Sequence, residues 1–363
     1  MNDSKYYDRF SGKESATARP MRQSGIVTAV LISCLFIVLI ICMIFSLWLG
    51  RYPVEPADIV KILMSTSLGE MHDPDDIPWV VIMLVRLPRI LIVTFAGMGL
   101  GMAGAAMQGV FRNPLVGPEV VGVSSGAAFG GVLAIILGYS SLSGVVSLAF
   151  IFGGGALVTA FVISRLAGQS GILGLILAGV IIGSFFSAFM GIATYLADPE
   201  TKLPGIVYWL MGSFAAATYP KVALMGGVSL ASGAVLVGLS WRINLLSLGQ
   251  SDAEALGVNV DVLRWSVVVC VALIVAAQVA VSGGVGWVGL VMPHMARMLV
   301  GPEHTRLLPV SGLFGGIYLL MMDNLARSLT VQELPIGLLT SVVGTPVFLV
   351  LFLKMQSKGW NHE

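Results

Sequence analysis

Phosphate-binding chemistry is the first thing the chain lacks. No G-x-x-x-x-G-K-[ST] loop occurs in its 363 residues, and the nearest dipeptide is Gly12-Lys13, so the chain does not itself cradle a nucleotide. No G-x-S-x-G elbow, H-E-x-x-H pair or Ser/His/Asp set appears, which argues against an enzyme. Cys34, Cys42 and Cys270 all lie in apolar runs without C-x-x-C spacing; they read as small core residues and form no disulfide framework. His72, His294, His304 and His362 are scattered. Stripping a bare transition metal of its water takes converging imidazole, thiolate or carboxylate ligands, so no metal site and no cofactor are expected. His294 reads as a hydrogen-bonded helix-end residue. Charge is scarce as well: charged residues make up 11% of the chain against about 25% in soluble domains. The net charge of +1 gives no field that would attract nucleic acid.

What is abundant is apolar and small. Hydrophobic residues reach 56% and the mean hydropathy is +0.92, which rules out a water-soluble domain of this length. The 44 glycines are spread through the apolar stretches, as suits helices that pack backbone to backbone in lipid. Runs able to cross about 30 Å of hydrocarbon fall at 26–48, 87–107, 121–138, 142–164, 172–197, 222–240, 265–282, 286–300, 308–326 and 336–353. They predict an all-α integral membrane protein with ten transmembrane spans. The first run is too long, and its polar leader too extended, for a signal peptide, so it reads as a retained helix. The chain then divides into a polar leader, 1–25, a ten-helix domain, 26–354, and a tail, 355–363.

Orientation follows from the basic residues. With the N-terminus inside, thirteen of the 20 Lys and Arg residues fall inside and seven outside, so both termini are expected in the cytoplasm. Soluble partners then have three surfaces to use: the outer segments 49–86 and 198–221, and the inner segment 241–264. Glu55-Pro56-Ala57-Asp58 reads as a helix start in the first of these. Spans 2 to 5 and 7 to 10 enter from opposite sides, as an inverted repeat requires. Pro293 and Arg297 are expected to interrupt the eighth span, where irregular backbone is tolerated if buried in protein.

Two blocks of motifs carry the most information. The first runs from Arg86-Leu87-Pro88-Arg89 through Gly97, Gly99, Gly101 and Gly104 to Gln108-Gly109, Arg112-Asn113-Pro114-Leu115 and Gly122-Val123-Ser124-Ser125-Gly126-Ala127. The second comprises Leu256-Gly257-Val258, Gly286-Trp287-Val288-Gly289-Leu290, Pro293-His294-x-x-Arg297, Asp323-x-x-Ala326-Arg327, Glu333-Leu334-Pro335-Ile336-Gly337 and Gly344-Thr345-Pro346-x-Phe348. Taken together, over residues 50–354, these blocks resemble the FecCD family, the permease subunits of ABC importers for iron chelates, haem and cobalamin. The resemblance implies a ten-helix subunit in a bacterial inner membrane. It would pair with a second permease subunit, identical or paralogous, receive substrate from a periplasmic binding protein, and be driven by two cytoplasmic ATPase subunits.

The residues suit those roles on their own chemistry. Arg86, Arg89 and Arg327 are expected on an exposed outer rim, where guanidinium groups can hold a partner's carboxylates bidentately. Snorkelling to the interface, or an i, i+4 pair of Asp323 with Arg327, accounts for them equally simply. Residues Gln250, Ser251, Asp252, Ala253, Glu254, Ala255, Leu256 and Gly257 predict a short helix capped near Ser251 or Asp252 and stopped at Gly257. The family likeness makes this a coupling helix for the ATPase. Ser184, Ser187, Gly191 and Thr194 share one helix face, as do Ser341, Gly344 and Thr345. Helix packing explains this spacing too, whereas the family places both helices along the translocation pathway. Gly168, Gln169, Ser170 and Gly171 form a tight inner turn, which in related permeases narrows the cytoplasmic exit.

The expected function is therefore a non-catalytic transport subunit whose cargo is an iron(III)-siderophore complex, with haem, cobalamin and molybdate as alternatives. An ion-coupled secondary transporter is the competing class, and Asp323 is the one acid within a span that could serve it. A membrane enzyme or scaffold is the third class, and no residue speaks for it.

Overall fold

The computed structural model describes residues 21–69, 73, 75–139, 142–166 and 172–359. The first twenty residues of the leader, the expected inner turn Gly168, Gln169, Ser170 and Gly171, and the last four residues lie outside the described residues. The chain opens with α1 (Met21–Trp48) and α2 (Pro56–Ser67). Glu55 sits at the N-cap of α2 and Pro56 at its first turn, where the missing N–H costs nothing. A short α3 (Ile77–Trp79) passes through a π-helical segment, Val80–Arg86, into α4 (Leu87–Phe111). Pro88 has no N–H to give the preceding turn, so the wider helical register falls immediately before it.

A 3₁₀ turn, Pro118–Val121, precedes α5 (Val123–Ile136), followed by α6 (Leu142–Leu166) and α7 (Ile172–Leu196). Then come α8 (Leu203–Met211), α9 (Tyr219–Leu248), α10 (Gln250–Ala255), α11 (Val260–Ser282), α12 (Val288–Val300), α13 (His304–Ser328) and α14 (Ile336–Gly359). Among the described residues, seven helices are long and apolar enough to cross a membrane. Three shorter apolar ones, α5, α12 and α14, bring the total to the ten that the apolar runs predict. The expected break at Pro293 does not occur, because α12 runs straight through it. The carbonyl that this proline leaves unbonded within its helix, Gly289 O, abuts Gly104 of α4: a Cβ at Gly104 would stand 1.7 Å from it.

The centre of the bundle is α4, packed on α9, α11, α12 and α13. Glycine makes these crossings tight. Cβ atoms at Gly97 and Gly101 would lie 2.2 and 2.1 Å from the carbonyls of Gly315 and Ser311 on α13, the close backbone approach that small residues permit in lipid. By contrast α1, α6 and α7 leave most of their apolar surface uncovered, as lipid-facing or partner-facing helices do.

The two halves share a contact plan. Helices α5, α6 and α7 pack on one another, and so do α12, α13 and α14. Each trio starts from a left-handed residue, Gly122 at φ +79° and Trp287 at φ +71°. Each also ends on a helix whose glycine meets that turn. Gly179 of α7 abuts the Val120 carbonyl, and Gly344 of α14 lies against the Trp287 side chain. An inverted repeat of spans 2 to 5 and 7 to 10 requires such a correspondence.

Candidate functional site

At one end of the bundle the three arginines of the expected docking rim are buried, each less than a tenth exposed. Arg89 grips Asp323 of α13 through Nε and Nη2, at 2.9–3.0 Å, while its Nη1 donates to Glu333 at 2.8 Å. Arg327 donates to Ser46 O and to Asn324 Oδ1, both at 2.6 Å, and its Nε lies 3.9 Å from Asp323. Arg86 donates to the carbonyls of Leu47, Trp48 and Tyr52, so that it closes the end of α1. Its guanidinium lies on Gly50, where a Cβ would come within 2.4 Å.

The exposed rim is therefore corrected: all three guanidinium groups are engaged by the chain itself. The physical reason is desolvation. A cation withdrawn from water at a helix end is tolerated only when oxygen atoms surround it, and this chain supplies Asp323, Glu333 and several carbonyls. Glu333 alone in the cluster remains partly open to solvent.

Beside this cluster three chain breaks meet: the end of α8, the end of α11 and the start of α14. Ser213 N–H donates to Ser282 O at 2.7 Å and Ile336 N–H to Gly212 O at 3.0 Å. Gly212 at φ +77° and Gly283 at φ +73° turn the chain where a Cβ would stand 2.1 Å from a facing carbonyl. Lys221, at the start of α9, ties two of the breaks together by donating to Ala216 O and Val281 O. A Cβ at Gly337 would come 2.5 Å from Met211 O and 2.6 Å from Gly284 O, both backbone atoms. Gly337→Ala is accordingly expected to destabilise the fold by about 1–3 kcal/mol. A thermal unfolding scan in detergent should show a lower midpoint, whereas an unchanged midpoint would mean that the junction is loose.

The proposed pathway residues divide. On α7, Ser184, Ser187 and Gly191 are exposed and Thr194 is half-buried, its hydroxyl returned to Met190 O. On α14, Thr345 is exposed, while Ser341 is half-buried and donates to Gly337 O. Gly344 is corrected from lining to packing: it is buried against Trp287. Helix periodicity put it on the same face as Ser341, but the left-handed Trp287 swings its ring over that position.

At the opposite end, α10 forms the expected short helix. Its cap is corrected by two to three residues: Gly249 stands at the N-cap, and neither Ser251 nor Asp252 caps it with a side chain. Gly249, at φ +145°, begins the helix directly after α9, which leaves no room for a longer lead-in. Gly257 at φ +83° stops it, and Val258 N–H closes back on Ala253 O. Gln250 accepts from Arg264 and donates to Glu254, and Asn259 caps α11. Ala253 is buried, whereas Gln250, Ser251, Asp252, Glu254, Ala255, Leu256 and Gly257 face outward. The result is a small knob of fixed shape. Nearby, His294 Nε2 meets Pro114 O at 2.8 Å and Arg297 donates to Gln108 at 2.9 Å, pinning the turn after α4 onto α12. Among the described residues no group of three or more His, Cys, Asp or Glu side chains is placed to hold a metal ion.

Comparison with known proteins gives this architecture a place. The model of the FecCD transport family matches residues 38–354. The chain belongs to the FecCD transport family. This FecCD permease is 45% identical over 328 residues to the molybdate import system permease protein MolB of Haemophilus influenzae, covering 90% of this chain and 96% of that one. It is 40% identical over 278 residues to a probable iron chelatin transport system permease protein of Helicobacter pylori, covering 76% of this chain and 83% of that one. Among solved structures, an inward-facing transporter described as of metal-chelate ABC type superposes with a TM-score of 0.80 at 43% identity, over 90% of this chain and 99% of that chain. The protein is thus an ABC importer permease, a multi-pass membrane transport component.

Sequence reasoning about this FecCD permease missed Lys221 and the junction it clamps. The signal was present in part: Met211-Gly212-Ser213, Ser282-Gly283-Gly284 and Pro335-Ile336-Gly337 each place glycine at a helix end. Nothing local in those three stretches says that they meet.

Proposed function

We propose that this permease carries chelated iron(III), as an iron–siderophore complex, through a pathway lined by the uncovered face of α7. The observation that carries the reading is that Ser184, Ser187 and Gly191 lie exposed on a face with hydroxyls, glycine backbone and aromatic rings but no charge. Such a wall touches a large cargo at many weak points and offers no ligand that competes for its metal. The iron chelatin relative supports this cargo. A second reading, an oxyanion such as molybdate, is favoured by the 45% identity to the molybdate permease over nearly its whole length. The test is uptake in cells carrying or lacking this chain. Accumulation of radioiron supplied as a siderophore complex, unaffected by excess molybdate, is expected. Accumulation of labelled molybdate in its place would overturn the siderophore reading in favour of the second.

The basic residues support a bacterial inner membrane location with both termini cytoplasmic. The Arg86–Arg89–Arg327 end then faces a periplasmic binding protein, with Glu333 as the accessible member of the cluster, and α10 faces two ATPase subunits. A second permease subunit faces α7 and α14 across the pathway and closes it off from lipid. An ion-coupled mechanism would need an ionisable group available to its ion, whereas Asp323 is already held by Arg89. Ala253→Leu overpacks the buried side of α10 at a cost of about 1–3 kcal/mol. With few contacts holding so short a helix, this is expected to displace the knob. Uptake should fall severalfold while the amount of permease in the membrane stays constant; undiminished uptake would remove α10 from the coupling route.

A further inference from the structure

The α10 end of the bundle holds a cleft of about 730 Å³ walled by the turn after α4, the last turns of α9 and the α12–α13 connection. Two guanidinium groups line it, Arg112 and Arg297. Arg297 donates to Gln108, a neutral partner, and Arg112 is exposed at the left-handed C-cap of α4. Among the described residues neither forms an ion pair. The one carboxylate in the lining, Glu303, is already paired with Arg306 at 2.9 Å. The cleft therefore keeps two uncompensated positive charges.

Its flanks are greasy. Trp241 lines it and is 63% exposed, Leu248 is 64% exposed, and Met298 and Leu299 follow Arg297 on α12 with more than half their surface uncovered. A cationic cleft at the end of membrane-crossing helices, with an indole at its side and apolar side chains beside it, has the chemistry of the headgroup layer. A soluble acidic partner accounts for the arginines but leaves the apolar flank exposed to water.

We infer that this cleft binds the phosphodiester headgroup of an anionic membrane lipid, with Arg112 and Arg297 holding the phosphate oxygens and the acyl chains lying along Met298 and Leu299. Guanidinium is suited to this because its fork matches two phosphate oxygens at once. The site adjoins α9 immediately before the coupling helix, so a bound lipid would brace the base from which α10 projects.

The test is native mass spectrometry of the full-length permease from detergent, offered phosphatidylglycerol or phosphatidylcholine. Preferential retention of phosphatidylglycerol is expected, weakened about fivefold by Arg112→Gln, the share of one interfacial arginine. Arg297→Gln should weaken it comparably. Arg51→Gln, at the far end of the bundle, should leave it unchanged. Equal retention of the two lipids, or a preference untouched by both cleft variants, would overturn the proposal. So would displacement of the lipid by millimolar inorganic phosphate, which would assign the cleft to the free anion. Displacement by an added ATPase partner would assign it to a protein contact and overturn it equally.

Discussion

Arg89→Met alone is expected to cost about 3–5 kcal/mol of stability, because it leaves the buried Asp323 carboxylate with only the 3.9 Å contact to Arg327. Asp323 is 1% exposed and takes contacts from both Nε and Nη2 of Arg89. Combining Arg89→Met with Asp323→Leu removes both charges, and well-packed apolar replacements for a buried pair are commonly neutral. Most of the lost stability should therefore return in the double variant, read as a recovered thermal unfolding midpoint. Glu333 and Arg327 tolerate the change because Glu333 is partly open to solvent and Arg327 keeps Ser46 and Asn324. A double variant as unstable as the single one would mean that the pair is not the unit that matters. Uptake separates structure from docking: if Arg89 serves only as a brace, transport returns with stability, and if a partner's carboxylate also needs it, stability returns alone.

Gly104→Ala is the second large effect. The added methyl would sit 1.7 Å from Gly289 O and 2.5 Å from Gly289 C, both backbone atoms that no rotamer change can move. Helices α4 and α12 would have to separate, and with them the contacts of Gln108 and Arg297. Overpacking at a rigid backbone contact belongs at the upper end of its usual range, about 3 kcal/mol or more. Gly154→Ala is the matched control, since nothing lies within 4 Å of its added methyl. That change should be neutral or gain up to about 1 kcal/mol from helix propensity. Thermal midpoints of the two variants should therefore diverge. Similar midpoints would show that the α4–α12 crossing is far looser than its geometry.

Much of the fold is legible in the sequence because lipid imposes length and apolarity on every crossing helix. The apolar runs give the spans, and Gly97, Gly101 and Gly104 mark α4 as the helix that others approach closely. The α10 knob is legible for a local reason: Gly257 and Asn259 are stop and start signals that act within a few residues of themselves. The arginines are different. Whether a guanidinium at a helix end faces water or a buried acid depends on Asp323, 234 positions away along the chain. Local spacing contains only the i, i+4 neighbour Arg327, and that contact is the longer one. Gly344 is similar, because its periodicity is sound but its burial depends on the strained Trp287 of another helix. Sequence patterns report the face of a helix, and tertiary pairing decides what meets that face.

The proposed transport role requires a driving force from outside this chain, because Asp323, the candidate ion-coupling acid, is held by Arg89. The direct measurement is solute accumulation in vesicles containing the purified chain alone, compared with vesicles that also hold its ATPase and are supplied with ATP and loaded binding protein. Accumulation against a gradient only in the complete system is the predicted result. Uphill accumulation by the chain alone, driven by a proton or sodium gradient, would contradict it.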